Sequence, residues 1–456
     1  MGYDHTLIDL ALVNARILTV HGLVKGGIGI NDGKICSIDQ EERLPKASTT
    51  INTHDKLVLP GLIDVHTHLR DLNLVHKEDF YSGTCAALAG GFTTVLDMPN
   101  TVPITDSALR LREKMVIASG KIVANTGFYT CIPAEATELK RLKDLGAMGC
   151  KVYLHNPNTT LDVEDDNVLL HTLQVLDDLD MILTIHAEDR YLIEDLEAKF
   201  QAIATSSPNI RIKTHPPQAE VKAVQRVLSL IRGRHSRIHF CHISTGKASS
   251  LISQAKVEGL PVTYEVAPHH LFLSETLLDK VGSLAFVEPP LRHSTTRRGL
   301  WSDLLAGNID VVASDHAPHA LKEKKNSDLW AVPSGFPGLE TTLPLLLTMV
   351  ARGKLSLERL VAVLARNPAR LFRLQGKGVI AVGFDADLTI VDMDKEFIID
   401  SSEFYSKAKY SPFDGMKVVG RPIQVFLEGN LVMDEGEVLS KPGSGTIIRP
   451  STPTTE

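Results

Sequence analysis

From residue 58 onward, short apolar runs rich in β-branched residues alternate with amphipathic stretches rich in alanine, leucine, glutamate and lysine. The runs that we predict to be strands are Leu59–His68, Thr93–Met98, Val123–Thr130, Cys150–Leu154, Met181–Glu188, Arg237–Ser244, Val262–His270 and Ile309–Asp315. Strands that alternate with helices form right-handed crossovers and a parallel sheet. Eight such units predict an α/β fold, a closed TIM-like (β/α)8 barrel.

The two ends of the chain differ from this middle part. Residues 1–57 contain short strands separated by glycine, asparagine and aspartate turns, and the same style returns after residue 378. Each end alone is a partial sheet of marginal stability. We therefore predict one small β-sandwich domain built from residues 1–57 with 379–456, beside a barrel domain of residues 58–378. The last segment, from Lys441, is rich in Gly, Pro, Ser and Thr, and we expect it to be loosely held.

Composition excludes several classes of protein. The 456 residues are 43% hydrophobic and 23% charged, with a net charge of −7, which is ordinary for a globular chain and gives no support for a nucleic-acid partner. The chain has neither a signal-peptide pattern nor an apolar run of the roughly 18–20 residues that span a bilayer. Its five cysteines are widely spaced, which is typical of free thiols in a reducing compartment. We expect a cytoplasmic enzyme with a small-molecule substrate.

Polar side chains gather at the ends of four predicted strands. The first strand ends with His66 and His68, which share a face because they lie two residues apart. His186, His242 and Asp315 lie at the ends of the fifth, sixth and eighth strands. The active site of a (β/α)8 barrel forms at this edge, so the five side chains predict a metal site. Imidazole and carboxylate ligands suit zinc, and also manganese, iron, cobalt or nickel.

Lys151, at the end of the fourth strand, leaves two interpretations open. A free ammonium is a poor neighbour for two divalent cations, because like charges repel strongly at low dielectric. Either Lys151 is a solvent-exposed residue of the rim, or CO2 has converted it to a carbamate whose two oxygens bridge two metals.

Several segments resemble a known family. The matching segments are PGLIDVHTHLR, GGFTTVLDMPNT, CKVYL, IHAED, CHIST, APHHL, EPPLR, ASDHAPH and GFPGLET. They are similar to those of the amidohydrolase superfamily and, within it, of the class I-like dihydroorotases. The histidine pair and the distant SDH are shared with hydantoinases and allantoinases, whereas HLRD with MPN, and DHAPH followed by SGFPGLE, are typical of dihydroorotases. The resemblance covers nearly the whole chain.

The resemblance implies a binuclear centre of two divalent cations, with zinc expected. One cation would be held by His66, His68 and Asp315, the other by His186 and His242, and carboxylated Lys151 would bridge them. Arg70, Asn100 and His319 match residues that bind the substrate carboxylate, a role that suits the guanidinium fork of Arg70.

The implied reaction is the reversible hydrolysis of (S)-dihydroorotate to N-carbamoyl-L-aspartate in de novo pyrimidine (UMP) biosynthesis. A hydroxide shared by the two metals would attack the ring amide, and Asp315 would act as general acid and base.

Two alternatives stay open. Glu288 precedes PPLR, where dihydroorotases commonly carry asparagine, and an inward-facing anion would weaken the binding of an anionic substrate. This departure favours a hydantoinase- or allantoinase-type enzyme as the first alternative. The second is a non-catalytic dihydroorotase-like subunit of an aspartate transcarbamoylase complex, although all six candidate ligand positions are filled. Self-association and association with aspartate transcarbamoylase are also open.

The segment Lys322–Gly338 combines the charged run KEKKN with several Pro and Gly residues. We interpret it as a loop that covers the substrate, with a solvated connection as the alternative for KEKKN.

Overall fold

Strands and helices alternate through the middle of the chain in a computed structural model, which describes residues 7–156, 158–202 and 207–451. The strands are, in chain order, β1 (Ile8–Thr19), β2 (Gly22–Asn31), β3 (Lys34–Asp39), β4 (Ala47–Asn52), β5 (Leu57–Pro60), β6 (Leu62–Thr67), β7 (Phe92–Asp97), β8 (Asn125–Phe128), β9 (Thr130–Cys131), β10 (Cys150–Tyr153), β11 (Leu183–His186), β12 (Ile238–Phe240), β13 (Val262–Val266), β14 (Val311–Val312), β15 (Leu388–Ile398), β16 (Lys417–Leu427), β17 (Asn430–Asp434) and β18 (Glu437–Val438).

The α-helices are α1 (Phe80–Ala89), α2 (Ala108–Ser119), α3 (Ala136–Leu145), α4 (Asp166–Asp178), α5 (Arg190–Ala202), α6 (Ile210–Thr214), α7 (Pro217–Leu230), α8 (Gly246–Val257), α9 (Pro268–Phe272), α10 (Leu278–Val281), α11 (Ser294–Ala306), α12 (Leu321–Lys324), α13 (Leu339–Ala351), α14 (Leu357–Val361) and α15 (Asn367–Leu371). In the described part of the chain, none of these helices is long and apolar enough to cross a membrane.

Strands β6 to β14 form the eight-stranded barrel wall, in which β8 and β9 are two parts of the third strand, separated by Tyr129 alone. β6, β7 and β8 pair in parallel, and β9 to β14 form a second parallel run in chain order. The Met148 amide donates to the Phe128 carbonyl (2.9 Å) and so joins the two runs. The other seam joins the first strand to the last: the His68 amide donates to the His316 carbonyl (2.7 Å), and the Ser314 amide donates to the Asp64 carboxylate (2.9 Å). The predicted (β/α)8 barrel is confirmed.

A mixed sheet joins the two ends of the chain. Its strand order is β18-β17-β16-β15-β5-β1-β2-β3, with β4 paired to β1, so strands from before and after the barrel lie side by side. Leu12, Ile17, Ile28, Val58 and Ile390 are buried together in its core. The prediction that both ends build one β structure is therefore confirmed. Its exact division, residues 1–57 with 379–456 against 58–378, stays a prediction, and residues 1–6 and 452–456 lie outside the described residues.

Some details of the prediction were wrong. The predicted strand Val262–His270 ends at Val266, because helix α9 begins at Pro268, a residue that suits the first position of a helix. The run Leu59–His68 is two strands, because Gly61 interrupts it: β5 joins the terminal sheet and β6 enters the barrel. The segment from Lys441 is not loose over its described length, because residues 443–451 cross the base of the barrel. There the Thr126 amide donates to the Thr446 carbonyl (2.9 Å), and the Ile448 amide to the Thr126 carbonyl (3.0 Å).

Candidate active site

The residues predicted at the strand ends line one pocket at the carboxyl ends of the barrel strands. The Nε2 atoms of His66 and His68 lie 3.5 Å and 3.4 Å from Asp315 Oδ1. On the other side, His186 Nδ1 lies 3.1 Å from His242 Nε2. The structure thus brings all five side chains together, although their role as metal ligands remains a proposal.

Buried hydrogen bonds orient His66. Its Nδ1 contacts Glu265, a carboxylate that also lies 3.1 Å from His239 Nε2 and accepts from the His242 amide. Burial alone would raise the pKa of Glu265, but His66 and His239 hold it well below its ordinary value. The ionised Glu265 keeps the His66 proton on Nδ1, so the Nε2 lone pair faces Asp315. A carboxylate behind a histidine in this way is typical of metal-ligating histidines.

His68 is held similarly, but by an amide. Its Nδ1 lies 2.7 Å from Asn100 Oδ1, so the ring donates there and its Nε2 lone pair faces Asp315. Burial and the charge of Arg70 lower the pKa of His68 well below its ordinary value, so the ring is neutral. Asn100 was predicted as a substrate-binding residue; its oxygen is engaged by His68, and its amide nitrogen is the group left to donate to a ligand.

His186 and His242 present a second pair of ring nitrogens. His186 Nε2 lies 2.7 Å from Glu188, and burial lowers the pKa of His186 to about 4. His242 is also buried and neutral, and its Nδ1 lacks a hydrogen-bond partner among the described residues. The nitrogens that face each other are His186 Nδ1 and His242 Nε2, and both belong to neutral imidazoles, which are good metal ligands. This pair of facing nitrogens fits a cation at this place.

Lys151 is buried beside these histidines. Its side chain is 1% exposed, and its Nζ lies 2.9 Å from Cys241 Sγ and 4.8 Å from the centre of the Tyr153 ring. The interpretation of Lys151 as a solvent-exposed rim residue is therefore wrong. Burial of an ammonium group without a carboxylate partner is costly. The remaining interpretation, carboxylation, stays a proposal.

Three residues of the site have a left-handed backbone conformation. The φ angles of Arg70, His242 and Asp315 are 58°, 35° and 49°. Non-glycine residues pay about 1–3 kcal/mol for such conformations, which cluster at functional sites. Of the predicted strand Ile309–Asp315, only Val311 and Val312 pair regularly with β13. Burial raises the pKa of Asp315 to about 6.

The opposite wall of the pocket is cationic. Arg70 is buried, and its Nη2 lies 3.1 Å from His319 Nε2. Its Nε donates to the Pro318 carbonyl (3.2 Å). Both Arg70 and His319 line the same pocket as the histidine cluster, as was predicted for residues that bind a substrate carboxylate.

Glu288 also lines this pocket, so the anion that sequence analysis singled out does face inward. It is paired there: Oε1 lies 3.2 Å from Arg211 Nη1 and accepts from Ser334 Oγ (2.9 Å). Against the effect of burial, His215, His155 and Arg211 hold the pKa of Glu288 well below its ordinary value. The charge of Glu288 is thus balanced by protein groups.

The segment Lys322–Gly338 contributes Ser334 and Gly335 to the pocket. Its KEKKN run is not simply solvated, because Lys324 is fully buried and donates to the carbonyls of Phe286 and Pro333 (3.0 Å each). Burial lowers the pKa of Lys324 to about 7. Closure of this segment over a substrate stays a prediction.

Comparison with known proteins decides the family. The model of the amidohydrolase family matches residues 57–432. The chain belongs to the amidohydrolase family. Among the relatives of this amidohydrolase are the dihydroorotase of Methanothermobacter thermautotrophicus, 37% identical over 97% of both chains, and that of Pyrococcus abyssi, 38% identical over 97% of this chain and 98% of the relative.

A second group of relatives carries a different name. The L-hydantoinase of Paenarthrobacter aurescens is 33% identical over 97% of this amidohydrolase and 98% of its own length. The solved structure of the L-hydantoinase (dihydropyrimidinase) from Arthrobacter aurescens superposes with a TM-score of 0.93, at 33% identity, over 97% of this chain and 99% of that one. The sequence-based prediction of a cyclic amidohydrolase enzyme is confirmed.

Sequence analysis missed the groups behind the site. Glu265 and Glu188 orient His66 and His186, and Asp64 ties the last strand to the first. The signal for Glu265 was a carboxylate within a β-rich apolar run, since an ionisable residue there is almost never buried unless it is paired.

Proposed function

We propose that this amidohydrolase is a dihydroorotase, which interconverts (S)-dihydroorotate and N-carbamoyl-L-aspartate in pyrimidine biosynthesis. One observation carries the proposal: the paired Arg70 and His319 lie in the same pocket as the histidine and aspartate cluster. The substrate needs both parts, since it carries a carboxylate and a ring amide that must be opened. The relatives named dihydroorotase support the same conclusion.

The pocket is suited to two divalent cations, for which zinc is our proposal. His66, His68 and Asp315 would hold one, and His186 and His242 the other. When bound, the cations would polarise the ring carbonyl and lower the pKa of a bound water toward about 7. Lys151, as a carbamate, would supply an anion between them in place of a buried ammonium.

The protein's own residues would bind the substrate and move the proton. The guanidinium of Arg70 offers two parallel N–H groups to the carboxylate, and the amide nitrogen of Asn100 adds a donor. Asp315 would take a proton from the attacking water and deliver it to the ring nitrogen as the amide bond breaks. In the direction of ring closure, the same carboxylate removes the amide proton.

A hydantoinase is the second candidate, because Glu288 faces the pocket and an L-hydantoinase is also similar to this chain. Its substrates are rings without the carboxylate. A non-catalytic role in an aspartate transcarbamoylase complex is disfavoured by the complete set of candidate ligands. The proposed compartment is the cytoplasm, which the five free cysteines support. Association with aspartate transcarbamoylase or with further copies of the chain stays a prediction.

A substrate comparison tests the proposal. The purified protein, supplied with zinc and bicarbonate, is assayed with dihydroorotate, N-carbamoyl-L-aspartate, hydantoin and allantoin, and its metal content is measured. We expect conversion of the first two and close to two ions per chain. Turnover of hydantoin or allantoin alone would reject a dihydroorotase, and absence of both metal and turnover would favour the non-catalytic subunit.

A further inference from the structure

Lys77 lies behind the cationic wall of the pocket, and sequence analysis gave it no role. Its Nζ is 3.0 Å from His319 Nδ1 and 3.3 Å from Glu323 Oε1. The side chain is 15% exposed. Arg70 and His319 line the pocket in front of it. Lys77 therefore touches a residue of the proposed carboxylate site from the rear.

This contact determines which nitrogen of His319 carries the proton. An ammonium group can only donate, so Nδ1 of His319 must accept, and the proton of the neutral ring lies on Nε2. In agreement, Nε2 lies 3.0 Å from the Ser334 carbonyl, which can only accept. Burial and the charges of Arg70 and Lys77 lower the pKa of His319 well below its ordinary value, so the ring stays neutral.

The tautomer matters for the neighbouring guanidinium. With the proton on Nε2 of His319, this N–H donates to the Ser334 carbonyl (3.0 Å), and Nε2 offers no acceptor to the Arg70 Nη2 that lies 3.1 Å away. The N–H groups of Nη2 are then left for the oxygens of a carboxylate in the pocket. In the other tautomer Nε2 would be an acceptor, and one N–H group of Arg70 would donate to the ring instead of to a ligand.

The position of Lys77 is itself fixed. Glu323 pairs with it through Oε1 while its Oε2 accepts from the Ala320 amide (2.9 Å) at the start of α12. The ammonium group is thus held between the loop after the first barrel strand and the segment after the last one. It cannot leave His319 without breaking an ion pair.

We propose that Lys77 is a specificity-determining positioning residue that holds His319 in the tautomer that leaves the N–H groups of Arg70 to the pocket, and so favours cyclic amides that carry a carboxylate over the same rings without one. The inference rests on the proposed function for the identity of the ring, dihydroorotate, but not for the preference for an acid.

The test compares matched pairs of substrates. Dihydroorotate is paired with dihydrouracil, and hydantoin-5-acetate with 5-methylhydantoin, for the wild type, Lys77→Met, Lys77→Arg and the exposed control Lys325→Met. We expect Lys77→Met to raise KM for the acids about tenfold, with kcat changed less than about threefold and the neutral rings unaffected. Lys77→Arg should recover most of the loss, and Lys325→Met should match the wild type. Equal effects on acids and neutral rings, or no effect, would overturn the proposal.

Further measurements distinguish failure of this inference from failure of the proposed function. If Lys77 acts through His319, adding Lys77→Met to His319→Asn should cause no additional loss, whereas additive losses contradict it. A wild type that ignores dihydroorotate but still prefers hydantoin-5-acetate rejects the proposed function and keeps this inference. If neither acid is converted, the dissociation constants of the four compounds provide the same comparison. Melting temperatures check folding, and Lys77→Gln replaces Lys77→Met should the latter unfold.

Discussion

Lys151 is a buried amine beside the histidines of the candidate metal site, and its chemical state bears on whether those histidines can hold cations. Lys151 is 1% exposed, and its charge contributes to the lowered pKa values of His66 and His186. As an ammonium it would repel cations held by the same histidines. As a carbamate it would attract them, so the burial and the cluster become compatible.

We therefore expect Lys151→Ala to lower kcat/KM for the cyclic substrate by at least about 100-fold, because the anion between the two proposed cation positions is lost. Short carboxylic acids such as acetate should restore part of the activity by occupying the vacated space. Steady-state kinetics with and without acetate measure this, and metal analysis accompanies them. Turnover like that of the wild type in Lys151→Ala would refute the bridging role.

At the scale of residues, the sequence predicted the side chains that lie at the ends of predicted strands. His66, His68, His186, His242 and Asp315 each end a predicted strand, and the barrel rule places strand ends together. It did not find Lys77 or Glu265, because their function depends on contacts with residues 242 and 199 positions away. The carboxylate of Glu265 within an apolar run indicates a buried partner, but no local pattern identifies that partner as His66.

At the scale of elements, the hydrophobic pattern located every barrel strand. It did not locate the boundary between β5 and β6. The run around Gly61 is continuously apolar. Because β5 and β6 are both buried on their two faces, the residues before and after the glycine show the same apolar pattern. The break is set by packing, since a Cβ at Gly61 would lie 2.7 Å from Thr93 Cγ2 and 2.9 Å from Asp387 Cβ. Any larger residue at position 61 would therefore force its neighbours to shift.

Substitution tests this account of Gly61. We expect Gly61→Ala to lower the free energy of unfolding by about 1–3 kcal/mol, because the added methyl group overpacks a junction whose neighbours are buried. The matched control is Gly299→Ala in α11, where a Cβ meets nothing within 4 Å. There the change should stabilise by up to about 1 kcal/mol through helix propensity. Urea denaturation of both variants measures the difference, and equal effects would contradict the packing argument.

At the scale of the whole molecule, the last described residues, 443–451, pack across the base of the barrel. Ile448 packs against a buried cluster that includes Met148 and Ile182, two residues at the amino-terminal ends of the strands, opposite the pocket. Sequence analysis read this segment from its composition as loose, since Gly, Pro, Ser and Thr are typical of unpacked ends. Its few apolar residues are instead part of the core.

Ile448→Ser should accordingly lower the free energy of unfolding by about 1–3 kcal/mol while leaving kcat and KM at 25 °C unchanged. The same substitution at Ile398, which is 62% exposed, should alter stability by less than about 0.5 kcal/mol. Denaturation curves and kinetics on both proteins check this. A loss of activity without a loss of stability would contradict this expectation, because it would show that packing at the base of the barrel affects the pocket.

The seam between the first and last barrel strands has a consequence for how the enzyme is made. His66 and His68 lie on one side of it and Asp315 on the other, and the backbone bond from His68 to His316 joins them. A nascent chain that still lacks its final third contains His66 and His68 but not Asp315. If these three side chains hold a cation as proposed, a chain that ends before Asp315 lacks one of the ligands, and we expect no hydrolysis until the segment through His319 has been synthesised and has closed the seam.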